Sequence, residues 1–236
     1  MKPFHFKQFE IQHHKSGHKV GTDGVLLGAW TSLVNNPNEI LDIGSGTGLI
    51  ALMMAQRSYA GTIDAIEINE NAFEECVNNF ENSIWNDRLF CYHGDVIELA
   101  LEPDLEYDLI VCNPPFFKKP VKSTMDDRNQ SRQQFTLSYE SLIHAVKSLL
   151  SEKGEFSTII PYSDHDEFIK LARNKKIFPF KITHVKGNEK TEAKRSLIQL
   201  CQNKNPIETN ELILEVERHK YTEAYKALVK PFYLKV

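Results

Sequence analysis

Short apolar runs alternate with helix-length segments along the chain from residue 39 onward. The first run, 39–43, is followed by a helical pattern over 48–55. This alternation is typical of βα units built around a buried parallel sheet. It predicts further strands at 62–68, 88–93, 107–112 and 154–160, and further helices at 70–81, 139–150 and 164–174.

The alternation of strand-like and helical patterns stops after residue 176. Two strand-like runs, 180–186 and 196–202, follow each other without a helical pattern between them, which predicts an antiparallel hairpin at one edge of the sheet. A third apolar alternation, 211–217, leads to a short helix at 222–229.

The domain organisation predicted from this pattern is a single domain spanning 1–236, because neither repeats nor a linker mark a boundary. We expect residues 35–236 to form its α/β core. Residues 1–34 precede the first strand, and we expect them to lie across the carboxyl edge of the sheet as a cover.

Composition narrows the class of protein. The chain has 236 residues, of which 41% are hydrophobic and 25% charged, and this excludes collagen-like, disordered and disulfide-scaffold proteins. No apolar run reaches the roughly 18 to 20 residues of a membrane helix, and the N-terminus lacks an apolar signal core, so we expect a cytoplasmic protein. The four cysteines form no C-x-x-C pair and the histidines show no ligand spacing, so no metal site is predicted.

Charge is distributed unevenly between the two halves. Residues 1–117 carry 6 Lys+Arg against 17 Asp+Glu, a net charge of −11, whereas 118–236 carry 22 against 15, a net charge of +7. The overall charge of −4 therefore conceals a basic half. A long polar stretch at 116–138 begins this half, and loops of that length are usually functional or disordered. Its basic residues include Lys118, Lys119, Lys122, Arg128 and Arg132.

The segment DIGSGTG, residues 42–48, joins the first strand to its helix. Glycine at every second position lets a backbone turn sharply and approach a ligand closely. The spacing is G-x-G-x-G and differs from the G-x-G-x-x-G that holds a dinucleotide pyrophosphate. A ligand-binding loop is predicted, with a tight turn that binds nothing as the alternative.

Acidic residues end the next two strands. Glu67 could accept hydrogen bonds from both hydroxyls of a ribose, in NAD as well as in other nucleotides, or could simply place a charge near a helix N-terminus. Asp95 could accept a hydrogen bond from an adenine amino group, or could cap a short helix at 96–100. The residues alone leave both alternatives open.

The most specific string is NPPF, residues 113–116, at the end of the fourth strand. Consecutive prolines stiffen the backbone. The Asn113 carboxamide oxygen and a proline carbonyl can accept both hydrogens of one planar amino group, while the aromatic ring of Phe116 stacks on the ring that bears it. The alternative is a proline pair that starts a loop, with a buried phenylalanine.

These motifs together resemble a known family. In order and spacing, the glycine loop, Glu67, Asp95 and NPPF resemble class I S-adenosylmethionine-dependent methyltransferases that act on amino nitrogen. The strings FHFKQF (4–9), VGTDGVLLGAW (20–30) and FYLK (232–235) resemble more closely the bacterial tRNA adenine-N6 methyltransferases, which modify the adenosine 3′ of the anticodon in a valine tRNA. The resemblance covers nearly the whole chain.

The resemblance implies a Rossmann-like class I methyltransferase fold, with a seven-stranded, mostly parallel sheet, an antiparallel edge hairpin and helices on both faces. It implies S-adenosylmethionine as the cofactor and tRNA as the partner, with no metal and no membrane. The residues that it implies for cofactor binding are Thr22, Asp23, Asp42, Gly44, Gly46, Gly48, Glu67 and Asp95.

Within that set, Glu67 is expected at the ribose, Asp95 at the adenine and the glycines at the methionine part. Thr22 and Asp23 are expected near the carboxylate end, or as an N-cap of the following helix. The implied catalytic residues are Asn113, Pro114, Pro115 and Phe116. The basic residues expected to bind RNA are Lys118, Lys119, Lys122, Arg128, Arg132, Lys194 and Arg195.

Alternative functions share the same motifs. A sister enzyme could methylate adenine in rRNA or DNA, or a protein glutamine amide, with every catalytic residue unchanged. A catalytically silent methyltransferase fold could serve as an RNA-binding module. An NAD-dependent oxidoreductase is disfavoured by the glycine spacing.

Overall fold

The computed structural model describes residues 2–14, 20–115 and 137–235. Helices and strands alternate through most of this part of the chain. In chain order they are β1 (Phe4–His5), β2 (Glu10–Ile11), α1 (Thr22–Trp30), β3 (Glu39–Ile43), α2 (Leu49–Arg57), β4 (Thr62–Glu67), α3 (Glu70–Glu81), β5 (Leu89–His93), α4 (Val96–Leu99), β6 (Tyr107–Cys112), α5 (Tyr139–Leu149), β7 (Leu150–Pro161), α6 (His165–Asn174), β8 (Phe178–Asn188), β9 (Ala193–Cys201), β10 (Glu208–Glu217), β11 (Lys220–Tyr221) and α7 (Glu223–Val229).

The main sheet has the strand order β11-β10-β8-β9-β7-β6-β3-β4-β5. Strands β3 to β7 run parallel to their neighbours among themselves, and β9 runs antiparallel to both β7 and β8. The predicted class of fold, an α/β fold with a mostly parallel sheet, is confirmed. The bounds predicted for its strands and helices agree with the structure to within a few residues, apart from the start of β7, which lies four residues before the predicted one.

The sheet is wider than predicted. Nine strands are hydrogen-bonded in the described part of the chain, instead of seven, and the β8–β9 hairpin does not form the sheet edge. Beyond it, β10 pairs in parallel with β8, where Leu212 lies opposite Val185. Both of these side chains are buried in one apolar cluster, so burial explains the third apolar alternation in the sequence.

Each central strand supplies apolar side chains to both faces of the sheet. On β6, Leu109 and Val111 belong to the cluster beneath α1, α2 and α7, whereas Ile110 and Cys112 belong to the cluster beneath α5 and α6. Successive side chains of a strand point to opposite faces, so a strand covered on both faces is apolar throughout. In the described part of the chain, every helix is too short or too polar to cross a lipid bilayer.

The two terminal strings singled out in the sequence meet in the structure. The Phe6 ring stacks on the Tyr233 ring at a centroid distance of 5.6 Å, and on the Phe9 ring at 4.7 Å. The Lys7 backbone N–H donates to the Phe232 carbonyl at 2.8 Å. These contacts attach the β1–β2 hairpin to the C-terminal end of the chain.

Helix α1 is attached to α2 by hydrogen bonds at its C-terminal end. The Arg57 guanidinium donates to the Gly28 carbonyl at 2.7 Å and to the Thr31 carbonyl at 2.9 Å. The last carbonyl groups of a helix have no hydrogen-bond partner inside the helix. The two bonds from Arg57 supply partners to carbonyl groups that would otherwise be buried without one. They fix the C-terminal end of α1 against the C-terminal end of α2.

Candidate functional site

A cavity of about 1120 Å³ opens at the carboxyl ends of β3, β4 and β6. Strand β3 lies between the other two, so the helices after β3 and β6 leave in opposite directions across the sheet. This switch point is where open α/β sheets bind ligands, because the diverging loops leave a crevice. The lining includes parts of the glycine loop together with Glu67, Asp95 and Asn113, which the sequence singled out.

The glycine loop adopts the left-handed backbone conformation at three positions. The φ angles of Gly44, Gly46 and Gly48 are +65°, +56° and +78°. A Cβ atom added to Gly44 or Gly46 would meet no atom within 4 Å, so these two glycines face open space. Their backbone therefore borders the open space of the cavity.

Gly48 has a different role from the one predicted. A Cβ atom at Gly48 would lie 2.5 Å from the Phe80 ring and 2.8 Å from the Cys76 sulfur, both on α3. The residue does not belong to the cavity lining. Gly48 is required for the close approach of the loop to α3, where a side chain has no space.

Glu67 joins the glycine loop to the start of α3. Its Oε2 accepts from the Gly46 backbone N–H at 2.8 Å, and its Oε1 accepts from the Asn69 N–H at 2.8 Å. The residue is buried yet lines the cavity. A carboxylate oxygen has more than one acceptor site, so Glu67 can hold the loop and still accept from a ligand hydroxyl.

Asp42 lies beneath the loop and not in the cavity lining, which corrects the expectation of direct ligand contact. It is fully buried, and its Oδ2 accepts from the Ala51 N–H at 3.1 Å. Its Oδ1 has no hydrogen-bond partner in the described part of the chain. Burial, and to a smaller extent the nearby Glu67 charge, raises the pKa of Asp42 to about 8. Asp42 is therefore largely protonated at neutral pH.

Asp95 caps a helix and also belongs to the cavity lining. Its Oδ1 accepts from the Ile97 N–H at 2.9 Å and caps α4. Its neighbours in the cavity lining are Gly94, Val96 and Ile97. Capping and ligand contact are compatible because one oxygen can serve each.

Thr22 and Asp23 line the cavity from the first turn of α1. The N-cap of this helix is Gly21, so the alternative in which Thr22 or Asp23 caps the helix is wrong. Asp23 Oδ2 accepts from Arg195 Nε at 2.8 Å.

Asn113, Pro114 and Pro115 line the cavity at the end of β6. The Asn113 Oδ1 atom is buried and has no hydrogen-bond partner among the described residues. Buried acceptors are nearly always satisfied in folded proteins, so an unsatisfied one at a cavity wall indicates a place where a ligand donates. Phe116 lies outside the described residues.

The residues expected to bind RNA separate into groups. Lys194 is exposed on β9, whereas Arg195 lines the cavity, a position that the sequence did not indicate. Sequence reasoning also missed Ser138 and Ser141, which line the cavity at the start of α5 and follow no motif. The others, Lys118, Lys119, Lys122, Arg128 and Arg132, lie outside the described residues.

Comparison with known proteins places this site in context. The family model of the methyltransferase small domain matches residues 24–167. The chain is 53% identical to the tRNA1(Val) (adenine(37)-N6)-methyltransferase of Flavobacterium psychrophilum, over 99% of this chain and 100% of the relative. It is 38% identical to the protein of that name in Actinobacillus pleuropneumoniae, over 98% and 97%.

Solved structures share the fold at low sequence identity. A predicted O-methyltransferase from Agrobacterium tumefaciens superimposes with a TM-score of 0.69 at 19% identity, covering 89% of this chain and 96% of the other. The tRNA m1G37 methyltransferase of M. jannaschii superimposes with a TM-score of 0.53 at 19% identity, covering 77% and 47%.

The two glycines that differ in surroundings should differ in their response to substitution. We expect Gly48→Ala to lower the free energy of unfolding by about 2–4 kcal/mol, because left-handed strain adds to overpacking against Phe80. Gly46→Ala should cost only about 1 kcal/mol, since the strain acts alone there. Urea unfolding of both variants measures the difference, and equal losses would contradict the packing of Gly48 against α3.

Asp42→Asn should alter how stability depends on pH. The pKa of Asp42 rises from 3.8 to about 8 on folding, so the unfolded chain releases this proton near pH 4 while the folded protein keeps it. The wild-type protein should therefore lose stability relative to the variant as pH rises from about 4 to about 8, by up to about 4 kcal/mol between pH 5 and pH 8. Urea unfolding at both pH values tests this, and parallel pH curves for the two proteins would show that Asp42 ionises normally.

Proposed function

Because the chain belongs to the family of tRNA1(Val) (adenine(37)-N6)-methyltransferases, we propose that it transfers a methyl group from S-adenosylmethionine to N6 of adenosine 37 in a valine tRNA. The observation that carries this proposal is the buried, unpartnered Asn113 Oδ1 at the wall of the same cavity as the glycine loop. A tRNA substrate also implies a cytoplasmic enzyme.

The residues present fit S-adenosylmethionine. Gly44 and Gly46 leave open space where side chains would stand, which supports a close approach of the methionine part to the backbone. Glu67, held by the loop, is suited to accept from the ribose hydroxyls, and Asp95 from the adenine amino group. When bound, this cofactor supplies a methyl group on a positively charged sulfur, so the chain itself need not activate the donor.

Catalysis by this chain then consists of orienting and polarising the amine. The N6 lone pair of adenine is delocalised into the ring and attacks poorly. Asn113 Oδ1 would accept one N6 hydrogen and the Pro114 carbonyl the other, which fixes the direction of the lone pair and stabilises positive charge that develops on N6. The proton that N6 loses after methyl transfer passes to water, so no strong base is needed.

Recognition of RNA is proposed for the basic second half. The net charge of +7 over 118–236 supports contacts to phosphates, which release counterions and give salt-dependent affinity. The ring of Phe116 would stack on the adenine, which requires an unstacked base such as one in a tRNA loop. The candidates for these phosphate contacts are Lys118, Lys119, Lys122, Arg128 and Arg132, which follow Phe116 in the chain, and the exposed Lys194.

The proposed function is tested on unmodified valine tRNA made by transcription. Incubation with S-adenosylmethionine followed by nucleoside mass spectrometry should give about one N6-methyladenosine per tRNA. A transcript with guanosine at position 37 is the matched control and should give none. Methylation of both transcripts, or of neither by protein that binds the cofactor, would contradict the proposed site of modification.

Asn113→Ala should reduce methyl transfer at saturating substrate by at least about a hundredfold, because one acceptor for the N6 hydrogens is lost. Cofactor affinity, measured by calorimetry, and thermal stability should stay near wild type. Asn113→Asp is the matched variant: it retains acceptor oxygens at the same position and should keep more activity than Asn113→Ala. A folded, cofactor-binding Asn113→Ala protein with the parent rate would refute the catalytic role.

A further inference from the structure

The ion pair between Asp23 and Arg195 forms part of the cavity wall. Arg195 lies on β9 and Asp23 in the first turn of α1, 172 residues apart in the chain. Arg195 Nε donates to Asp23 Oδ2 at 2.8 Å, and the two side chains are 29% and 22% exposed. A guanidinium and a carboxylate therefore stand side by side at the cavity, partly shielded from water.

The charges that line the cavity are unequal in number. In the described part of the chain, the charged side chains of the lining are three carboxylates, Asp23, Glu67 and Asp95, and one cation, Arg195. S-adenosylmethionine carries a sulfonium, an ammonium and one carboxylate. That carboxylate loses water when it binds and needs a cation or hydrogen-bond donors in exchange.

Strand order gives the direction of a bound cofactor. Asp95, Glu67, the glycine loop and Asn113 follow β5, β4, β3 and β6, which are adjacent in that order. If the adenine lies at Asp95 and the ribose at Glu67, the amino-acid end extends toward the side where β7 and β9 follow. Arg195 and α1 close the wall on this side.

We propose that Arg195 binds the α-carboxylate of the cofactor's methionine portion and that Asp23 binds its α-ammonium. This inference rests on the proposed function. The methionine portion carries one ammonium and one carboxylate. Each of them meets a side chain of opposite charge in the Asp23–Arg195 pair, so none of these four charges is buried without a partner. A planar guanidinium can hold a carboxylate through two parallel hydrogen bonds. The role replaces the phosphate contact expected for Arg195 from the sequence.

The experiment is calorimetric titration with three stable ligands and three proteins. The ligands are S-adenosylhomocysteine, its analogue without the carboxylate, and its analogue without the amino group. The proteins are wild type, Arg195→Met and, as matched control, Lys194→Met, which removes an exposed cation one residue away. Thermal unfolding establishes that each variant is folded.

Arg195→Met should lower the affinity for S-adenosylhomocysteine and for the deaminated analogue by at least about tenfold. This is the range expected for the loss of a charge-assisted hydrogen bond. It should leave affinity for the decarboxylated analogue within about twofold, because the group that Arg195 binds is absent there. Lys194→Met should change none of the three affinities. The inference is overturned if Arg195→Met lowers the affinity for all three ligands equally, or if it lowers the affinity for none of them.

Two further measurements keep the result interpretable. Asp23→Asn should lower the affinity for S-adenosylhomocysteine but not for the deaminated analogue. This comparison tests the ammonium contact without altering Arg195. Arg195→Lys retains the charge but not the planar fork, and should bind S-adenosylhomocysteine with intermediate affinity; affinity no better than that of Arg195→Met would contradict a carboxylate contact.

Binding of valine tRNA without cofactor separates the two roles of Arg195. Affinity should be unchanged by Arg195→Met, whereas a loss of tRNA affinity with S-adenosylhomocysteine binding intact would overturn the inference and restore the phosphate contact. Failure of wild-type protein to bind S-adenosylhomocysteine would instead refute the proposed function itself.

Discussion

The left-handed turn that follows β3 is the constraint on which the site depends. Only glycine adopts these φ angles without strain, so Gly44 and Gly46 can expose backbone to the cavity. Gly48 lets the same loop pack against Phe80 on α3. The carboxylate of Glu67 then fixes the turn through the Gly46 N–H. Backbone conformation, helix packing and cavity shape are therefore set together at one short segment.

The carboxyl groups around this turn differ in their access to the cavity. Asp42 is fully buried and its pKa rises to about 8, so it packs beneath the loop largely without charge. Glu67 and Asp95 reach the cavity, where they accept hydrogen bonds from backbone N–H groups and can also accept from a ligand. A cationic, hydroxyl-rich ligand is favoured by such a wall.

The substrate position proposed for this site rests on an unsatisfied hydrogen-bond acceptor. Asn113 Oδ1 is buried at the end of β6 without a partner among the described residues. Desolvation of an unpaired acceptor is unfavourable, and it is offset when a donor arrives. An amino group beside the cofactor would supply such donors, which is the basis of the role proposed for Asn113.

The sequence by itself determined the alternation of strands and helices, the glycine turn, and the placement of Glu67, Asp95 and Asn113 at strand ends. These features depend on local periodicity and on residues next to each other in the chain. Tertiary structure alone decided that β10 pairs with β8, that Gly48 packs against α3 and that Asp42 is buried away from the cavity. It also decided that Arg195 meets Asp23 across 172 residues. Those outcomes depend on which distant segments share a sheet or a helix contact, and no local pattern encodes that choice.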